Sequence, residues 1–291
     1  MNRILITGAN SYIGTSFENY LKQWPDQYQV DTVDMVDGSW REKRFSGYDT
    51  VFHVAGIAHS DTSKVSEERK AFYYKINTDL TIETAKKAKA DGVKQFIFMS
   101  SAIVYGDSAP VGKQKIITKD TIPQPANFYG DSKLQAENGI LPLQDDAFRV
   151  VVLRPPMIYG RGCKGNYSML SKYAPRLPFF PDIDNMRSML YIGNLMEFVR
   201  LMVENEETGI FFPQNEEYTR TSDMVKLIAS AHGKKIQFIK VFNPVLYLLG
   251  RRFAVINKVF GNLCYDMDMS GYKQKYRMYN LAESIKKSEN A

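Results

Sequence analysis

Short apolar runs alternate with amphipathic stretches through the first half of the sequence. Residues 3–7 (Arg-Ile-Leu-Ile-Thr) form one such run, and it ends at a glycine turn. Over residues 12–24, Ile13, Phe17, Tyr20 and Leu21 recur at helical spacing, so a strand, a turn and a helix are predicted in succession. The runs 30–35, 50–54 and 95–99 repeat the strand pattern, and a long helical stretch over 70–90 separates the last two. A helix is predicted over 129–141 and a further strand over 149–153. Strands that are apolar nearly throughout and alternate with helices predict a parallel sheet covered on both faces, hence an α/β, doubly wound core.

Past Pro156 the alternation becomes irregular, with turns at Pro175, Pro178 and Pro181 between short helices. Residues 1–156 are therefore expected to form the main unit and 157–291 a smaller C-terminal α/β lobe, from which some segments can return to the main unit. Residues 239–265 are the most apolar and basic stretch, but Arg251 and Arg252 interrupt it too centrally for a membrane-spanning helix. A helix lying on a membrane surface is one reading. The favoured reading is an amphipathic helix that closes the lobe.

Composition narrows the class without fixing it. Hydrophobic residues at 44% and charged residues at 24% of 291 exclude a disordered or fibrous chain. The net charge of +6 comes from scattered basic residues with no basic stripe interleaved with aromatics, so no nucleic acid is expected, whereas an anionic small ligand suits the charge. Cys163 and Cys264 are the only cysteines and have no matched Cys/His spacing, so neither a disulfide framework nor a metal site is expected. The N-terminus runs directly into a predicted strand with no signal-like segment, which makes cytoplasmic residence the expectation.

Two constellations carry candidate chemistry. In Thr7-Gly8-Ala9-Asn10-Ser11-Tyr12-Ile13-Gly14 the first predicted strand feeds the first predicted helix, so backbone N–H groups at a helix N-terminus can face a pyrophosphate. Gly8 permits the tight turn and Gly14 a close approach of helix to sheet. Asp34 closes the second predicted strand, where a carboxylate can accept from both ribose hydroxyls and repel a 2′-phosphate; that favours NAD over NADP. A turn without ligand and a solvated carboxylate beside Asp31 and Asp37 remain open as readings.

The second constellation is Tyr129 and Lys133, one helical turn apart on one face. An ammonium nearby favours a phenolate, as does the positive end of the helix, so the pair is expected to bring Tyr129 toward general acid–base work. Ser101 closes the strand 95–99 at the sheet's carboxyl edge, where its hydroxyl can orient a substrate oxygen. The Tyr-x-x-x-Lys spacing alone is also what an exposed helix face presents.

Together these residues resemble the extended short-chain dehydrogenase/reductase superfamily, in particular its NAD-dependent epimerase/dehydratase branch, over nearly the whole chain. The resemblance rests on 7–14, His53-Val54-Ala55-Gly56, Ser100-Ser101-Ala102-Ile103-Val104-Tyr105-Gly106, Tyr129-Gly130-Asp131-Ser132-Lys133, Leu153-Arg154-Pro155-Pro156-Met157-Ile158-Tyr159-Gly160 and 187–192. It implies a Rossmann-like fold, with Ser101, Tyr129 and Lys133 catalytic. It further implies that Gly8, Asn10, Ser11, Tyr12, Ile13, Gly14, Asp34, Ala55 and Gly56 line the cofactor, with Pro155 and Pro156 beside the nicotinamide. Arg187 is implied to grip a nucleotide pyrophosphate, the alternative being a surface ion pair, and Asn166 to meet substrate.

Two departures matter. The middle glycine of the phosphate turn is Ser11 here, and its hydroxyl could donate to a phosphate oxygen. Sugar 4,6-dehydratases of the superfamily resemble Thr-Asp-Glu where this chain has Ser101-Ala102-Ile103, so dehydration is disfavoured. The resemblance therefore implies reversible hydride transfer at C4 of a UDP-hexose, as an epimerase or a ketoreductase in polysaccharide sugar synthesis. Alternatives are an extended reductase of a non-sugar alcohol and a non-catalytic dinucleotide-binding scaffold. A homodimer is the family's habit.

Overall fold

The computed structural model describes residues 1–58 and 65–290, which divide into two compact units. The first comprises Met1–Gly106, Pro123–Pro155 and Met196–Phe212. Its sheet has six strands: β1 (Asn2–Thr7), β2 (Tyr28–Val33), β3 (Thr50–His53), β4 (Gln95–Met99), β5 (Arg149–Leu153) and β6 (Gly209–Phe211). They lie in the order β6-β5-β4-β3-β1-β2, and every pairing is parallel. The expected doubly wound α/β core is present. The chain leaves β1 for β2 on one side and then crosses to β3 on the other. That reversal opens a crevice at the carboxyl ends of β1 and β3, where open sheets of this kind bind ligands.

Burial follows the alternation of side chains along the strands. Leu5, Val51, Phe96, Phe98, Val150 and Val152 share one core with Leu80, Ala85, Ala88, Ala136 and Ile140 of the covering helices α3 (Leu80–Ala90) and α4 (Phe128–Ile140). On the opposite face Phe17 of α1 (Tyr12–Leu21) meets Phe52 edge to face at 5.2 Å. A ring buried as fully as Phe17 contributes about 1.5–3 kcal/mol. The predicted helix over 70–90 is interrupted: α2 (Glu67–Tyr74) passes through a π-helical turn, Lys75–Asp79, before α3 begins. β6 is three residues of an edge strand, too short to register as a period in the sequence.

The second unit comprises Asp107–Ile122, Pro156–Leu195 and Pro213–Ala291. It holds three two-stranded parallel pairs: Met157–Tyr159 with Met189–Tyr191, Phe179–Pro181 with Gln237–Ile239, and Ile116–Ile117 with Cys264–Tyr265. Helix Thr221–Ala231 contributes the buried Met224, Val225, Ile228 and Ala229 to this unit's core. Residues 239–265 depart from the favoured expectation of a lobe-closing amphipathic helix. They form two short helices, Asn243–Gly250 and Ala254–Phe260, with Val245, Leu248, Phe253 and Val255 of this stretch exposed. No helix among the described residues is long and apolar enough to cross a membrane.

Candidate active site

The glycine turn lies at the carboxyl end of β1, over the crevice. Gly8 has φ +104°, and a Cβ there would come within 2.9 Å of the Ala55 backbone nitrogen. Gly8 can therefore lie against Ala55 because it has no side chain, whereas Ala55 contributes its Cβ to the contact. Asn10 takes φ 62°, a left-handed conformation that asparagine tolerates. A Cβ on Gly14 would meet Ser11 Oγ at 2.7 Å, Ile6 Cγ2 at 3.0 Å and Val54 Cγ2 at 3.2 Å, so its absence lets α1 sit against the sheet. Ser11 is the N-cap of α1, and its Oγ accepts from Gly14 N at 3.1 Å. That bond occupies a lone pair and leaves the hydroxyl proton available to an anion. Tyr12 and Ile13 open the helix. The turn thus brings the N-terminus of α1 to the carboxyl end of β1 past two glycines, an arrangement that a dinucleotide pyrophosphate fits, while the N–H groups of Gly8 and Ala9 are taken by Val33 O and that of Ser11 by Gly8 O. Asp34 follows β2 directly and is exposed, with Oδ1 accepting from Val36 N at 2.8 Å.

Ser101, Tyr129 and Lys133 belong to this same unit. Ser101 caps the short 3-10 turn Ala102–Tyr105 after β4, and Tyr129 is the second residue of α4, whose N-cap Asn127 accepts from Gly130 N at 3.0 Å. A Cβ on Gly130 would lie 2.7 Å from Ile103 O, so glycine allows the helix to approach the turn that carries Ser101. The Ser101 hydroxyl, whose Oγ accepts from Ile103 N at 3.3 Å, favours the ionised form of the Tyr129 phenol. Burial and the neighbouring Tyr73 act in the opposite direction and prevail, pushing the phenol up to about 12. The expected lowering of Tyr129 by Lys133 is therefore corrected: without a ligand the phenol stays protonated at neutral pH.

Lys133 is 6% exposed. Its Nζ donates to Met99 O at 2.9 Å and lies 4.7 Å from the centroid of the Phe98 ring. A Cβ on Gly56 would meet that Nζ at 3.2 Å, which places the cation against the loop following β3. Desolvation brings Lys133 down to about 8, although Glu137 one turn along α4 supports the charge. Glu137 is fully buried and accepts from Arg154 Nε at 3.1 Å on both carboxylate oxygens and from Arg154 Nη2 at 2.5 Å; Ser100 Oγ donates to it as well. Arg154 Nη1 also donates to the Tyr105 hydroxyl at 2.7 Å. Pro155 and Pro156 follow β5 and are buried, and Pro155 O accepts from Ala102 N at 2.9 Å, which ties the end of β5 to the Ser101 turn.

Sequence reasoning missed a second layer of polar groups. Asn77, inside the π turn, accepts from Ile57 N at 2.9 Å and donates to Ile57 O at 3.1 Å and Ser132 Oγ at 3.1 Å. It thereby joins the loop after β3 to α4 next to Lys133. Thr81 Oγ1 donates to Asn77 O at 2.8 Å, so it accepts from His53 Nε2 at 3.0 Å, which leaves His53 Nδ1 to accept from Thr7 Oγ1 at 2.7 Å. Burial, with Lys133 adding to it, holds His53 at about 3 and therefore neutral. A chain of bonds runs from the end of β1 to α4. The signal in the sequence was polar residues at core positions of a helical stretch: Asn77, Thr78, Thr81 and Thr84 are all buried.

Asn166 and Arg187 lie in the second unit, where both line a narrow pocket that also includes Thr219 and Lys258. Arg187 Nη1 donates to Gly261 O at 2.8 Å, and its backbone pairs with Thr219. Among the described residues it has no salt bridge, and burial lowers its pKa, which removes the surface ion pair as an explanation. Asn166 Nδ2 is engaged by Lys258 O at 2.8 Å. The Thr219 hydroxyl is buried with no hydrogen-bond partner among the described residues. A cation with no acid opposite it and a hydroxyl with no partner together make a pocket suited to an anion.

A parallel sheet with a glycine cradle at its switch point, and a serine, a tyrosine and a lysine at its carboxyl edge, defines a dinucleotide-dependent α/β protein. The sequence profile of the NAD dependent epimerase/dehydratase family matches residues 4–212, and the chain belongs to that family. It is 28% identical to the UDP-glucose 4-epimerase of Vibrio cholerae over 288 residues, spanning 91% of this chain and 87% of that one. It is 27% identical to the N-acetyl-alpha-D-glucosaminyl-diphospho-ditrans,octacis-undecaprenol 4-epimerase of Escherichia coli O157:H7, over 89% of this chain and 81% of that one. A dTDP-4-dehydrorhamnose reductase from Clostridium acetobutylicum shares the fold with a TM-score of 0.74 at 18% identity, covering 99% of this chain and 98% of that one.

Proposed function

We propose that the chain is an NAD-dependent enzyme acting at C4 of a UDP-hexose, as a 4-epimerase or a 4-ketoreductase. The observation that carries this reading is the close approach of α4's first turn, which bears Tyr129, to the turn that bears Ser101, allowed by Gly130 at the sheet's carboxyl edge, with the Lys133 cation on the same helix held against Gly56. Tyr129 exchanges the proton of the C4 hydroxyl, Ser101 orients that oxygen, and Lys133 positions the cofactor's ribose. When bound, the nicotinamide accepts and returns hydride, and its oxidised ring adds the positive charge that the chain's own residues do not supply at Tyr129. Thr7 to Gly14, with Asn10, Ser11, Tyr12 and Ile13, hold the pyrophosphate; Asp34 takes the ribose hydroxyls and favours NAD over NADP; Ala55, Gly56, Pro155 and Pro156 border the ring. Arg187, with Thr219 and Lys258 in the same pocket, binds the substrate's diphosphate, which weighs against a non-sugar alcohol as substrate.

The test is purified protein incubated with NAD or NADP and a panel of UDP-sugars and UDP-4-keto sugars, followed at 340 nm and by product identity. Inversion at C4 without net absorbance change identifies an epimerase, and net NADH consumption a ketoreductase. Tyr129→Phe is expected to lose at least a hundredfold in turnover while still binding cofactor. Undiminished turnover by that variant would refute the assignment, and cofactor binding without turnover of any panel member by wild type would favour a scaffold.

A further inference from the structure

From Met224 to Tyr265 the chain has no aspartate or glutamate, while Lys226, Lys234, Lys235, Lys240, Arg251, Arg252 and Lys258 fall within it. Among the described residues the same stretch carries the densest run of exposed apolar side chains. Val241 is 73% exposed, Leu248 67%, Val255 66% and Val245 52%. Val245 and Leu248 are three apart on helix Asn243–Gly250, so they share a face, and Arg251 and Arg252 follow at its end. Phe242 and Phe179, each about half exposed, form an aromatic pair with centroids 6.2 Å apart.

We propose that this surface docks on an anionic lipid bilayer. Apolar side chains projecting on short helices between unneutralised cations match an interfacial segment, whose apolar face enters the acyl boundary while the cations meet headgroup phosphates. Among the described residues Lys234, Lys235, Arg251 and Arg252 have no salt bridge. Lys240 faces Asp182 at 3.8 Å, and Arg220 already holds that carboxylate at 2.8 Å. Nucleic acid would engage the cations and leave the valines and leucines in water. Spanning is excluded for helices of eight and seven residues broken by two arginines. The inference does not depend on the C4 reading.

The experiment is co-sedimentation of the full chain with vesicles of phosphatidylcholine alone or with 30% phosphatidylglycerol. At 0.1 M NaCl, partition onto the anionic vesicles is expected to exceed that onto neutral ones at least tenfold and to fall in 0.5 M NaCl, since each cation near the surface contributes about a factor of five. Val245→Glu/Leu248→Glu and, separately, Arg251→Gln/Arg252→Gln should each weaken it tenfold or more with an unchanged thermal midpoint. Lys22→Gln/Lys86→Gln, an equal loss of charge in the first unit, should leave it nearly unaltered. Absence of binding, equal binding to both vesicles, or an equal loss in that last pair would overturn the proposal. So would a concentration-dependent dimer abolished by Val245→Glu/Leu248→Glu without vesicle binding, which would assign the surface to a second copy of the chain.

Discussion

Lys133→Met isolates what a buried cation costs this fold. In the native state the Lys133 ammonium is 6% exposed and its pKa falls from 10.5 to about 8. At about 1.4 kcal/mol per pH unit, keeping it charged at pH 7 opposes folding by about 3 kcal/mol. Methionine keeps the apolar stem and removes the charge, but it also removes the donor to Met99 O, a bond whose loss returns about 1 kcal/mol. The variant is thus expected to be about 2 kcal/mol more stable than wild type at pH 7. A depressed native pKa means that wild type regains stability as pH rises from about 8 toward 10.5, where the unfolded lysine is also neutral. The advantage of the variant should therefore shrink across that window and vanish or reverse by pH 10.5. Urea unfolding of both proteins at several pH values between 7 and 10.5 measures it. A variant that is less stable at pH 7, or a difference that stays flat with pH, would refute the reasoning. The same substitution should abolish turnover, because stability gained by removing a functional charge is stability the active protein forgoes.

Ser101→Ala removes a hydroxyl that favours the Tyr129 phenolate, so the pH profile for sugar oxidation should move alkaline by about one unit. A drop in rate with an unmoved profile would mean that Ser101 acts only on substrate. Arg154→Met leaves the fully buried Glu137 without its cation and should cost about 3–5 kcal/mol in urea unfolding, whereas Glu137→Leu/Arg154→Met should recover most of that loss.

The parts of this protein legible in its sequence are those in which one physical rule governs many neighbouring residues. The runs at β1, β3, β4 and β5 are apolar because both faces of a parallel sheet are covered, and those strands fall where the pattern places them. Gly8 and Gly14 were legible because a side chain at either would collide with backbone or core. The π turn was not legible, since the weak helix formers of Lys75–Asp79 mark a departure from regular helix without specifying its kind, and the distortion serves bonds to residues remote in sequence, Ile57 and Ser132. The phenol's ionisation escaped for a related reason. Spacing places Tyr129 and Lys133 on one face, but whether the ammonium outweighs desolvation depends on what surrounds both groups, and burial decides against it.

The buried polar groups of the first unit act as one system. Thr7, His53, Thr81 and Asn77 link the end of β1 to the loop after β3 and to α4, and each bond in that chain fixes the donor and acceptor roles of the next. A neutral His53 is required for it, because Nδ1 must accept from Thr7 while Nε2 donates to Thr81, and a protonated ring could not accept at Nδ1. Desolvation and the Lys133 cation both keep it neutral. Lys133 thus has two effects: it is costly where it stands, and its field adds to the desolvation that keeps the histidine neutral, the state in which Nδ1 can accept from Thr7. An apolar replacement of this network would leave the cradle, the loop and the helix free to shift separately, and the hydride transfer proposed above tolerates little displacement among those elements.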